Sequence, residues 1–170
     1  MATGERTEVR VHPGGSGTAR VETGIPVLDH LLVLLARHGG FDISLAVAPR
    51  AAEDEVAAAG RALGAALSEP LRAKGARGHG SFTVPADEAL AQVALEASGR
   101  PLVVSNVDLT EARVAGLRSD LAAAFLRELA EGAGLTLHVR LMEGRDTQHV
   151  LDAIFKALGA ALAQACGRRE

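Results

Sequence analysis

In the stretch Gly144-Arg145-Asp146-Thr147-Gln148-His149-Val150-Leu151-Asp152 an imidazole and a carboxylate stand three residues apart, and a lysine follows at Lys156. On a helix these three side chains fall on one stripe. A nitrogen and an oxygen donor suited to a divalent ion then lie beside a cation suited to an anionic substrate group. The same spacing also serves a solvated ion pair or a helix cap. Val150, Leu151, Ile154, Leu158 and Leu162 recur at three- and four-residue intervals on the adjoining stripe, so the segment reads as a core helix as well as a chemical one.

The rest of the chain must position that helix. Its 170 residues, 48% of them hydrophobic, suffice for one compact unit or two small fused halves, with room for one active site. Trp and Tyr are absent and Phe occurs four times, which leaves a core of Ala, Leu and Val. The formal net charge is -3 and no run of Lys and Arg occurs, which argues against an extended nucleic-acid surface. Cys166 is the single cysteine and reads as packing, with no intrachain disulfide to form. No signal-peptide pattern opens the sequence, and the longest apolar run, Leu31 to Ala36, is too short to span a bilayer. A cytoplasmic protein without a membrane partner is expected.

Thr7 to His12 alternates in polarity as a strand does, Pro13 to Gly17 is a turn, and Thr18 to Ile25 reads as the returning strand of a hairpin. Pro26 opens a helix with an apolar stripe of Leu28, Leu31, Leu32 and Leu35, and His38-Gly39-Gly40 stops it before a strand from Phe41 to Val47. Another helix starts near Ala51. Glu53, Asp54 and Glu55 suit its positive end, Val56, Leu63 and Leu67 face a core, and Glu69-Pro70 closes it. Gly75 to Ser81 lacks the Gly-Lys-Ser/Thr of a nucleotide loop and leads into the strand-like Phe82 to Pro85, so a turn is expected. Strands are expected at Ala89 to Glu96 and Pro101 to Val107, joined as a second hairpin through Ser98-Gly99-Arg100. A short strand from Ala112 to Leu117, a helix from Asp120 to Glu131 and a strand from Leu135 to Leu141 lead to the final helix.

That order repeats. Ala19-Arg20-Val21 recurs as Ala112-Arg113-Val114, Leu32 and Leu35 as Leu126 and Leu129, Gly40-Phe41 as Gly134-Leu135, and Ala62 to Leu67 as Ala157 to Leu162. The offset drifts only from 93 to 95, so two similar halves are fused, about residues 5–72 and 80–166 within one unit of residues 1–170. The second helices then correspond, with Glu53-Asp54 opposite Gln148-His149 and Ala57 opposite Asp152.

Thr23-Gly24-Ile25-Pro26-Val27-Leu28-Asp29-His30-Leu31-Leu32, His38-Gly39-Gly40-Phe41-Asp42, Pro85-Ala86-Asp87-Glu88-Ala89-Leu90, Ser98-Gly99-Arg100-Pro101, Leu135-Thr136-Leu137-His138-Val139 and Asp152-Ala153-Ile154-Phe155-Lys156-Ala157-Leu158 form a recognisable set. They resemble the TGIPFLDHML, HGGFD, PMDEAL, SGRP, LTLHV and EAAFKAL stretches of the imidazoleglycerol-phosphate dehydratase family of histidine biosynthesis. The likeness covers nearly the whole chain. It implies an α+β fold of the ribosomal protein S5 domain 2-like type, duplicated, each half a small sheet packed against two helices. It also implies a manganese-dependent dehydration of imidazole glycerol phosphate to imidazole acetol phosphate, at sites between subunits of a homo-oligomeric, trimer-based shell. Two metal ions would hold the substrate as an imidazolate while a carbon-bound proton and then the hydroxyl leave.

The family supplies its metal ligands through two HHxxE motifs, one opening the second helix of each half, and through histidines of the DHM and LHV stretches. By that resemblance His30, His138, His149 and Asp152 are the metal ligands here. The first motif reads Glu53-Asp54-Glu55-Val56-Ala57, so Glu53 and Asp54 are the only substitute donors at its histidine positions; in the second, Gln148 replaces a histidine and Asp152 the glutamate. Arg100 and Lys156 match phosphate contacts of the family, and Arg77 stands beside Gly78, where the family carries the arginine of its RYGS stretch. No catalytic residue is assigned. Three functional readings follow: a dehydratase with a re-formed ligand set; a non-catalytic paralogue serving as scaffold, mixed-oligomer subunit or small-ligand binder; and an RNA-binding use of the duplicated fold, which the acidic balance disfavours.

Overall fold

A computed structural model describes residues 6–107, 113–114 and 117–169. The first half runs β1 (Glu8–His12), β2 (Ala19–Glu22), α1 (Pro26–Gly39), β3 (Asp42–Ala46) and α2 (Ala52–Leu71). The second runs β4 (His79–Ala86), β5 (Ala89–Glu96), β6 (Leu102–Ser105), β7 (Arg113–Val114), β8 (Leu117–Arg118), α3 (Ser119–Ala133), β9 (Thr136–Glu143) and α4 (Thr147–Cys166). Of the expected strand from Ala112 to Leu117, only β7 and the start of β8 fall among the described residues, and Ala112 lies outside them.

Neither expected hairpin forms. β3 lies between β1 and β2, antiparallel to the first and parallel to the second, and β9 lies in the same way between β5 and β6. Burial supplies the reason. Ile43 and Leu45 of β3, and Leu137 and Val139 of β9, are 0–3% exposed and take central places, while β1 and β2 alternate between half-buried and exposed residues, β6 is exposed except for half-buried Val103, and all three suit edges. A helical crossover returns each central strand parallel to the strand before that helix, a connection a tight turn cannot make. Polar side chains then fasten the turns to the central strands. Asp42 Oδ1 accepts from Ser16 N at 3.0 Å and Thr18 N at 3.1 Å, and at the equivalent place Thr136 Oγ1 lies 2.7 Å from Ser98 Oγ.

The duplication is present, with one of its sequence anchors displaced. Val11 pairs with Ile43 as Leu95 pairs with Leu137, and Ala19 pairs with Ile43 as Val103 pairs with Leu137. Val103 is therefore the counterpart of Ala19, 84 residues later, while Leu137 follows Ile43 by 94. Ala112-Arg113-Val114 is thus not the counterpart of Ala19-Arg20-Val21. The second half carries about ten additional residues between β6 and α3, and among the described residues β7 pairs only with β8. Beyond that point the correspondence is tight: α2 and α4 each span 20 residues, their starts 95 apart, and Gly40 and Gly134 both turn the chain at φ 67° after α1 and α3.

The helices join the halves crosswise, α1 against α4 and α2 against α3. Two corresponding glycines permit this. A Cβ on Gly64 would stand 2.5 Å from the carbonyl oxygen of Leu129, and one on Gly159 would overlap the carbonyl of Leu35, so the backbones approach too closely for any side chain. Phe125 of α3 and Phe155 of α4 lie with ring centroids 5.6 Å apart. Helix α4 is long and apolar enough to span a bilayer by composition, but its apolar window is 61% buried inside the fold, as befits a core helix. Val150, Leu151, Ile154, Leu158 and Leu162 are all 5% exposed or less, as the spacing predicts. Helix α2 continues to Leu71 with Pro70 in its last turn, beyond the stop expected at Glu69-Pro70.

Candidate functional site

The site is built at the start of α4. Asp146 caps the helix, its Oδ1 accepting from the His149 amide at 3.1 Å. The turn between β4 and β5 consists of Asp87 and Glu88, and Asp87 takes a left-handed conformation at φ 51°. A short polar residue tolerates that conformation, and the turn aims both carboxylates at α4. Glu88 Oε1 accepts from the amides of Arg145 at 3.1 Å and Asp146 at 2.8 Å, and its Oε2 lies 2.6 Å from His149 Nδ1. The Asp146 amide foremost, then His149 and the Arg145 amide, lower the Glu88 carboxyl to about 2. Glu88 in turn raises the His149 imidazole above its ordinary value. On the far side of that ring, Nε2 stands 3.3 Å from Asp87 Oδ2.

One turn along, three residues meet. His30 of α1 places Nε2 3.2 Å from Asp152 Oδ1, across 122 residues of sequence, and the same oxygen accepts from the Gln148 amide at 2.7 Å. The crosswise packing of α1 on α4 makes this meeting. Asp152 is 18% exposed and His30 50%, so the pair opens outward. Lys156 follows one turn later, half-buried on the same helix.

The other expected ligands lie elsewhere in the chain. His138 is exposed on the solvent face of β9, paired with Ala94 and Val104. It lines a concavity of about 500 Å³ with Arg77, His79, Ser81, Glu96 and Thr136. The fold therefore brings His138 to the same concavity as Arg77, whose Nε is buried without a hydrogen-bond partner among the described residues. Arg100 is exposed in the bend after β5, its amide donating to Ser98 Oγ at 3.0 Å. Glu53 and Asp54 are exposed at the start of α2, and Asp54 borders a separate depression with Thr7, Arg50 and Arg61.

These donors do not form a closed metal site within one chain. Among the described residues no group of three or more His, Cys, Asp or Glu side chains is placed to hold an ion. His149, Asp87 and Glu88 fail because the carboxylates sit at opposite nitrogens of one ring instead of converging. His30 and Asp152 converge, and two donors leave most of an octahedral ion's shell to be filled from elsewhere. Asp87, Glu88 and Gln148 were not among the expected ligands. The signal for the first two was their place in the Pro85 to Leu90 motif, which marked the stretch but not its partner. Cys166 behaves as packing, burial pushing its thiol up to about 11.

Comparison with known proteins gives a consistent result. The sequence model described as Imidazoleglycerol-phosphate dehydratase matches residues 23–162. The chain is 39% identical over 174 aligned residues to the imidazoleglycerol-phosphate dehydratase of Clostridium botulinum (strain Kyoto / Type A2), covering 99% of this chain and 88% of that protein. With that of Desulfitobacterium hafniense (strain Y51) the identity is 40% over 161 residues, covering 92% and 82%. The crystal structure of the enzyme from Staphylococcus aureus subsp. aureus N315 superposes with a TM-score of 0.88 at 28% identity, over 97% of this chain and 95% of that one. That from Pyrococcus furiosus gives 0.85 at 29%, over 99% and 93%. By sequence and by fold alike, this chain belongs to the imidazoleglycerol-phosphate dehydratase family, the lyases of histidine biosynthesis.

Proposed function

We propose that the chain dehydrates imidazole glycerol phosphate in the cytoplasm, with one metal centre per chain in place of two. The observation that carries this reading is the approach of His30 Nε2 to Asp152 Oδ1 at 3.2 Å, two positions that match family ligands and that only the folded chain unites. The corresponding start of α2 offers carboxylates and Ala57 but no imidazole, which supports a reduced site on that side.

His30 and Asp152 would hold a manganese ion with His138 supplied by a second copy, within a homo-oligomer that is a trimer-based shell. Exposed Leu102 and Val104 beside His138 suit a face that a second copy covers. When bound, the ion would supply positive charge against the negative charge that develops on the substrate ring as the carbon-bound proton leaves. The chain's own residues do the rest. Gln148 fixes the Asp152 carboxylate, Glu88 fixes the His149 ring, and Lys156 with Arg100 and Arg77 provides cations for the substrate phosphate. The acting unit is the whole chain, residues 1–170, with its repeats at about 5–72 and 80–166 held together by the crossed helix pairs.

The test is turnover of imidazole glycerol phosphate with manganese. The wild type is expected to turn over, D152A and H30A to lose about a hundredfold or more in kcat/KM, and D54A to keep activity. A non-catalytic paralogue is the second reading, and the match to imidazoleglycerol-phosphate dehydratases over nearly the whole chain does not favour it. Absence of turnover in the metal-loaded wild type would establish that second reading instead.

A further inference from the structure

The solvent face of the first sheet carries a row unlike its counterpart. Arg10 pairs in register with Ser44, and Ser44 with Arg20, so two guanidiniums flank one hydroxyl across β1, β3 and β2. All three residues are exposed. In the second sheet the corresponding row is Ala94, His138 and Val104, so the fold itself does not require two arginines here.

Neither guanidinium takes a hydrogen bond or an ion pair among the described residues. Glu8 and Glu22 occupy the next row on either side of Ala46, and they pair with neither arginine. Asp42, in the opposite row, is committed to the amides of Ser16 and Thr18. The row lies between two surface concavities of about 450 and 630 Å³ that share Arg10, Ser44 and Arg20.

We propose that Arg10, Ser44 and Arg20 form an oxyanion site for the phosphate group of a small phosphorylated molecule, separate from the centre at His30 and Asp152. Adjacent strands stand roughly 4.8 Å apart, so the outer strands are about 10 Å apart and their guanidiniums can close on a tetrahedral anion from both sides. Ser44 lies beneath it and can donate a third hydrogen bond. Arginine's planar fork matches phosphate oxygens in pairs, which makes the row selective for phosphate over a spherical anion.

The experiment is titration with inorganic phosphate at low ionic strength, followed by calorimetry, in an R77Q/R100Q/K156Q background so that the candidate substrate cations do not contribute. One phosphate per chain is expected, with R10Q and R20Q each weakening it by about tenfold and the double variant abolishing it. Unchanged thermal unfolding shows that the variants remain folded, as exposed positions should allow. Three results would each overturn the proposal: no binding in that background, binding that survives R10Q/R20Q, or displacement of phosphate by equimolar chloride. A lower sedimenting mass in R10Q/R20Q would also overturn it, because the row would then be a contact between copies.

Discussion

At the residue scale, carboxylates do the positioning. Glu88 holds two backbone amides and one imidazole nitrogen, which fixes the entry to α4 and the His149 ring together. Asp42 does comparable work in the first half, where the Thr18 amide first, and then Ser16, hold its carboxyl below the usual 3.8. A carboxylate with a lowered folded-state value stabilises the fold above its unfolded value and loses that contribution as the pH falls through the folded one. The stability difference between wild type and D42N is therefore expected to be constant near neutrality and to shrink below about pH 3.8, as urea unfolding across pH would show. A second expectation concerns Gln148, whose amide is bonded to Asp152 at 2.7 Å. Q148A should keep the fold but weaken metal affinity on the order of tenfold, measured by competition with a chelating dye.

At the element scale, the crossed helices decide whether a site exists, because His30 reaches Asp152 only through α1 lying against α4. Gly159 sits at that crossing and Gly64 at its counterpart between α2 and α3. G159A and G64A should each destabilise the fold by about 1–3 kcal/mol, since a methyl group meets a facing backbone carbonyl that cannot rotate away; G159A should also lower activity by separating His30 from Asp152. The sequence made much of this legible. Helical periodicity gave α1, α2 and α4 to within a few residues, and the repeat of Ala62 to Leu67 as Ala157 to Leu162 gave the duplication. Strand neighbours were not legible. Alternating polarity identifies β1, β2, β5 and β6 as strands but is the same whether a turn or an intervening strand separates them. The stripe of His149 and Asp152 follows from helical spacing, whereas the clamp by Glu88 depends on a hairpin turn 61 residues away.

At the scale of the whole molecule, the expected ligands divide between two surfaces that one chain keeps apart. His30 and Asp152 lie at the start of α4, and His138 lies on the outer face of the second sheet among exposed Leu102 and Val104. A centre shared between copies predicts complementation. H138A and D152A should each be inactive alone, and an assembly mixed from equal amounts should regain about a quarter of wild-type activity, the share of sites that draw an intact residue from each parent. V104D should sediment at lower mass and lose metal with it, because a charge would then occupy the exposed apolar face that is proposed to meet a second copy.

The most direct measurement is manganese content per chain after metal removal, reloading and exhaustive dialysis, made on the wild type and on D152A. One ion per wild-type chain and none in D152A is the result that follows from a single centre built on His30 and Asp152. No retained ion in the wild type, or an ion that D152A still holds, would contradict it.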